Sequence, residues 1–130
     1  MKRFAAITVI GRDRTGVVAR ITGFLFEQKR YKNKIINIHP SLLPSFPGPR
    51  ACRQAHEHGV KIVGVTAHFV SMHLDEGPII AQGSFPTRSG MSLQQIIAAG
   101  QKLEAKVLVK AIRLYLTRRL DVHWGIVKEV

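Results

Sequence analysis

At 130 residues, 45% of them apolar, the chain has the size of one ordinary domain, long enough to bury a core but too short for two complete ones. Its apolar runs are too short for a membrane-crossing helix, and a single cysteine, Cys52, excludes an internal disulfide, so a soluble protein of a reducing compartment is expected. The formal charge of +12 sits on the flanks: residues 1–34 carry nine basic side chains against two acidic and residues 102–130 seven against three, without the like-charge blocks or interleaved aromatics of a nucleic-acid platform, so solvated helix faces account for it.

The basic start Met1-Lys2-Arg3 has no small-residue cleavage site before Arg12-Asp13-Arg14, so no secretory signal is expected and the cytoplasm is the expected location. Residues 4–10 end in the β-branched run Ile7-Thr8-Val9-Ile10 and stop at Gly11, which predicts a buried strand. Asp13 can cap a following helix to about residue 28, whose apolar stripe is Val17, Val18, Ile21, Phe24 and Leu25. A basic junction over residues 29–34 leads into a strand over 35–38. Pro40, Pro44, Pro47, Gly48 and Pro49 then predict a rather rigid loop, because proline fixes φ and removes an amide donor. Residues 50–57 suit a short helix, and residues 60–70, rich in valine, isoleucine and threonine, predict a strand. Gly77-Pro78 breaks the chain before a further strand over 79–85. Ser92 and Gln95 form a capping box for the longest helix, whose apolar face is Leu93, Ile96, Ile97, Leu103, Val107, Leu108, Ala111, Ile112 and Tyr115. A last strand is expected over 122–127. Alternation of strands and helices predicts an α/β protein.

Asn37 and His39 are alternate residues at the end of a strand, so the period of two turns both side chains to one face. His68 lies inside the apolar strand over 60–70, and Asp75 sits in the turn after it. A carboxamide, an imidazole and a carboxyl group gathered at strand ends can polarise a carbonyl, stabilise an oxyanion and handle a proton, the requirements of acyl chemistry. Spacing leaves two other readings open, a hydrogen-bonded core histidine and an aspartate that only makes a turn. His56 and His58 flank Glu57 but, two residues apart, share no helix face, and no further ligands complete a metal set. Nothing in the sequence lowers the Cys52 pKa, so an idle or buried thiol is expected.

The stretches Ile35-Ile36-Asn37-Ile38-His39-Pro40-Ser41-Leu42-Leu43-Pro44, Thr66-Ala67-His68-Phe69-Val70 and Leu74-Asp75-Glu76-Gly77-Pro78-Ile79-Ile80-Ala81-Gln82 together resemble the second half of the folate-dependent formyltransferase domain. That domain is shared by glycinamide ribonucleotide formyltransferases, formyltetrahydrofolate deformylases and methionyl-tRNA formyltransferases. The resemblance covers about residues 31–127, with three separated motifs in the right order. It implies a Rossmann-like fold, 10-formyltetrahydrofolate as substrate without a metal, and a place in one-carbon metabolism and purine biosynthesis. It further implies that Asn37 and His39 hold and polarise the formyl oxygen and that Asp75 positions or deprotonates the attacking group with His68 in support. Val70, Leu74 and Asp75 would contact the pterin, largely through backbone groups.

Gly11-Arg12-Asp13-Arg14-Thr15-Gly16-Val17-Val18-Ala19 after a strand resembles the opening strand and helix of an ACT domain, the module that precedes the catalytic domain in the deformylases. The pairing implies transfer of the formyl group to water. Pro40 after His39 instead matches the glycinamide enzymes. Residues 1–29 thus read as an ACT-like strand-helix fragment, and residues 30–130 as the C-terminal half of a formyltransferase-like domain. The pattern looks as though a middle segment were excised, which raises the expectations of lost activity and of a non-catalytic folate-binding fragment or a homo-oligomer that completes its sheet with a partner chain.

Overall fold

The structure is a computed structural model and describes residues 32–130. The strand and helix expected over residues 4–28, and with them the ACT resemblance, lie outside the described residues.

Three strands form the main sheet in the order β1-β2-β3: β1 (Ile36–His39), β2 (Ile62–Phe69) and β3 (Ile79–Pro86). Both pairings are antiparallel. Asn37 lies opposite His68 and His39 opposite Thr66, while the β2–β3 register shifts at a bulge between Ala67 and His68. Helix α1 (Ala51–Glu57) lies between β1 and β2, and α2 (Leu93–Leu116) follows β3. The mixed architecture agrees with the α/β expectation, and the strands lie within two residues of their predicted bounds.

Strand alternation divides the sheet into an apolar and a polar face. On the apolar face Val65, Ala67 and Ala81 pack against Val107 and Ala111 of α2, with Ile36, Ile38, Ile80 and Leu103 around them. A second cluster joins Ala55 of α1, Val63 and Ile96. The capping box that starts α2 forms as predicted: the Gln95 amide donates to Ser92 Oγ at 3.2 Å, and the Ser92 amide donates to Gln95 Oε1 at 2.9 Å. The buried stripe of this helix is Ile96, Gly100, Val107, Ala111 and Leu114, so Ile97 and Ile112 of the predicted face are left partly exposed. The apolar arc of the sequence is wider than the contact a three-stranded sheet offers.

The single strand expected over 122–127 is instead a hairpin, β4 (Leu120–His123) and β5 (Ile126–Glu129). Trp124 and Gly125, at φ 50° and 75°, make the two-residue turn. Paired positive φ angles match the twist of a hairpin, and Gly125 accepts one of them without strain. The apolar alternation of Val122, Trp124 and Ile126 ran through this turn and hid it. No helix among the described residues is long and apolar enough to cross a membrane.

Candidate active site

The polar face carries Asn37, His39, Thr66 and His68, by the same alternation that turns Ile36, Ile38, Val65 and Ala67 to α2. The segment over residues 40–50 crosses this face. After β2 the chain leaves through residues 70–78 and turns Asp75 back over it. Asp75 holds a left-handed backbone conformation, φ 55°, which aspartate tolerates better than most residues.

The Asp75 carboxyl group is only 6% exposed and is approached from three sides. His39 Nδ1 lies 3.4 Å from Oδ2, His68 Nε2 lies 3.8 Å from Oδ1, and the Gly48 amide donates to Oδ2 at 2.7 Å. His39, His68 and Asp75 are therefore brought together as the sequence predicts. Asn37, half-buried, stands across the ladder from His68 on the same face. Val70 is buried and its amide donates to the Ile35 carbonyl at 3.0 Å, so that donor is already used. Leu74 is exposed, as is Met72, and the two put apolar side chains on the loop beside the carboxyl group.

Hydrogen bonding fixes which ring nitrogens can work. A carbonyl oxygen only accepts, so His39 Nε2–H donates to the Phe46 carbonyl at 2.9 Å and His68 Nδ1–H donates to the Phe69 carbonyl at 3.0 Å. The free nitrogen of each ring, Nδ1 of His39 and Nε2 of His68, faces Asp75. Burial pushes the His68 pKa down, and the charge of His39 pushes the same way. The bond to the Phe69 carbonyl and the field of Asp75 oppose both. Among the described residues His68 Nε2 has no hydrogen-bond partner, so a lone pair is held ready in a buried place.

Gly77 makes the return of the chain possible. A methyl group there would overlap the Phe69 carbonyl oxygen and lie 3.3 Å from His68 Nδ1. The bare backbone lets residues 76–78 press onto the end of β2, where the Phe69 amide donates to the Pro78 carbonyl at 2.9 Å.

Several participants carry no signal in the sequence. The Phe46 carbonyl and the Gly48 amide are backbone groups of the proline-rich loop. Thr66 could have been found, since it shares its face with His68 by alternation. On α2, burial pushes the Glu104 carboxyl pKa up, and the charge of His39 draws it down. Burial, with the charge of Glu104, also raises the Cys52 pKa, which leaves a thiol rather than a nucleophilic thiolate, as expected. Among the described residues no group of three potential ligands is placed to hold a metal.

The formyl transferase family matches residues 21–112. A formyltetrahydrofolate deformylase of Synechocystis is 47% identical over 89 residues, 68% of this chain and 31% of that protein. The enzyme of the same name from Escherichia coli K12 is 46% identical over 94 residues, 72% of this chain and 34% of its own. Among solved structures, a formyltetrahydrofolate deformylase from Pseudomonas syringae superposes with a TM-score of 0.77 at 31% identity, over 86% of this chain and 43% of that one. A phosphoribosylglycinamide formyltransferase from Anaplasma phagocytophilum gives 0.78 at 35% identity, over 84% and 52%. The chain spans about a third of the length of these curated relatives.

Proposed function

Because the chain belongs to the formyl transferase family, we propose that it carries the reactive half of a site that hydrolyses 10-formyltetrahydrofolate to formate and tetrahydrofolate. The observation that supports this reading is the Asp75 carboxyl group set between the free nitrogens of His39 and His68. A water molecule placed by His68 Nε2 and Asp75 Oδ1 attacks the formyl carbon, and Asp75 accepts its proton. The Asn37 carboxamide donates to the oxyanion that forms, while His39, with Nε2–H committed to Phe46, offers Nδ1 to the proton that Asp75 has accepted, so that the shared proton stands beside the oxyanion. The tetrahedral adduct then collapses: the bond from carbon to N10 breaks, its electron pair goes to N10, Asp75 returns the proton there, and the formic acid released gives up its hydroxyl proton to solvent to become formate. Depression of the His68 pKa serves this step, because a neutral ring presents a lone pair to the water. Met72 and Leu74 offer an apolar edge to the pterin, with Val70, Leu74 and Asp75 as its contacts.

Water as acceptor is favoured by the deformylases among the relatives. Formyl transfer to the amine of glycinamide ribonucleotide is the second acceptor, supported by Pro40 after His39. Formate release measured against formylation of that amine separates the two, and a chain that does neither refutes both. One observation favours a reading of another class, a chain that completes its sheet with a partner: β1 pairs with β2 alone among the described residues. Light scattering beside a folate titration tests it, since a monomer that binds the folate counts against it. The site lies in a protein of one-carbon metabolism, and the cytoplasm is the proposed location.

A further inference from the structure

Thr66 belongs neither to the core nor to the reactive cluster, yet it is fully buried. A hydroxyl has one proton to give and two acceptor positions, and here all three are used. It donates to the Ser41 carbonyl at 2.7 Å, and accepts from the Leu43 amide at 3.1 Å and from Gln82 Nε2 at 2.9 Å. Gln82, on β3, also donates to the Leu43 carbonyl at 3.0 Å. Two strands thereby pin the opening of the loop over residues 40–50 to the polar face. The pinned segment continues inward, where Ser41 Oγ donates to the Ser45 carbonyl at 2.5 Å and lies 3.4 Å from the Phe46 carbonyl. Phe46 accepts from His39 Nε2, and Gly48 donates to Asp75 Oδ2.

We infer that the Thr66 hydroxyl, with Gln82 behind it, is a positioning group for the reaction: by fixing residues 41–48 it sets which nitrogen of His39 carries the loop-bound proton and where the Asp75 carboxyl group points. The physical reason is the lack of slack along the route. Proline restricts φ at positions 40, 44, 47 and 49, so a shift at Leu43 is passed along the loop rather than absorbed. Without the Phe46 carbonyl, nothing among the described contacts favours Nδ1 over Nε2 as the nitrogen that faces Asp75. Thr66 stands across the ladder from His39, but its hydroxyl bonds neither His39 nor Asp75 and acts through the loop.

The inference rests on the proposed reaction for its purpose but is tested without it. Long-range nitrogen–proton spectra of the histidine rings, recorded at one fixed pH, report the protonation pattern of His39, and the Gly48 amide signal reports its bond to Asp75. Thr66→Val keeps the shape and removes the hydroxyl; it is expected to shift both signals, and Thr66→Ser, which restores the hydroxyl, to return them to the wild-type positions. Gln82→Ala, at an exposed residue, is expected to move them part of the way and decides the matter if Thr66→Val does not fold. Unmoved His39 and Gly48 signals in a folded variant overturn the inference whether or not the chain has activity. With an active wild type, the Thr66→Val enzyme should lose about 10- to 100-fold in kcat with much less change in KM, as misplacement of reacting groups by under an ångström does. A wild type without activity whose signals still move in the variants would sink the proposed reaction and leave the positioning role standing.

Discussion

Asp75 combines a left-handed backbone with a nearly buried carboxyl group, and asparagine can take over the first property but not the second. Asp75→Asn is therefore expected to fold as the wild type and to release formate about 10²- to 10⁴-fold more slowly, the range that loss of a proton acceptor gives. Circular dichroism beside the formate assay checks it, and an active variant would remove Asp75 from the chemistry. His68 carries the pH dependence. Its folded pKa lies below the ordinary value of about 6.5, chiefly through burial, so the unfolded chain binds more protons as pH falls through that value. The stability owed to the neutral ring is complete above that ordinary value and is lost as pH falls toward the folded pKa. Urea melts between about pH 7.5 and 5.5 should show a smaller loss for His68→Gln than for the wild type, and an equal loss would locate the sensitivity elsewhere.

At the scale of elements, the site depends on the two crossings over the polar face. The segment over residues 70–78 returns only because position 77 has no side chain, so Gly77→Ala must push the turn off the Phe69 carbonyl. A cost of about 3 kcal/mol in urea unfolding is expected, at the high end for single substitutions because backbone rather than a flexible side chain is displaced. Helix α2 is held by its sheet contact and started by its cap. Ser92→Ala removes an acceptor for the Gln95 amide and should cost about 1 kcal/mol in the same measurement, without effect on the site at the other face of the sheet. The elements with strong local signals, β1 to β3 and the capping box, were legible because each reads from its own residues. The hairpin was not, since Trp124 does not announce the positive φ that it adopts there.

At the scale of the whole molecule, a formal charge of +12 on 130 residues makes self-repulsion a standing load on the folded state. Raising sodium chloride from about 0.05 M to about 0.5 M shortens the screening length severalfold and should raise Tm in a thermal melt; a flat or falling Tm would mean that specific ion pairs outweigh the repulsion. The sequence by itself determined where β1, β2 and β3 run, the common face of Asn37 and His39, the family, and the turn that carries Asp75, because alternation, proline and glycine act over a few neighbouring residues. Only the tertiary structure decided that Gly48 would donate to a carboxyl group 27 positions away, that the Phe46 carbonyl would accept from Nε2 of His39, and that the Thr66 hydroxyl would be bonded to the same loop. Backbone amides and carbonyls are alike at every position of a sequence, and which of them meets a given side chain is settled by how distant segments pack.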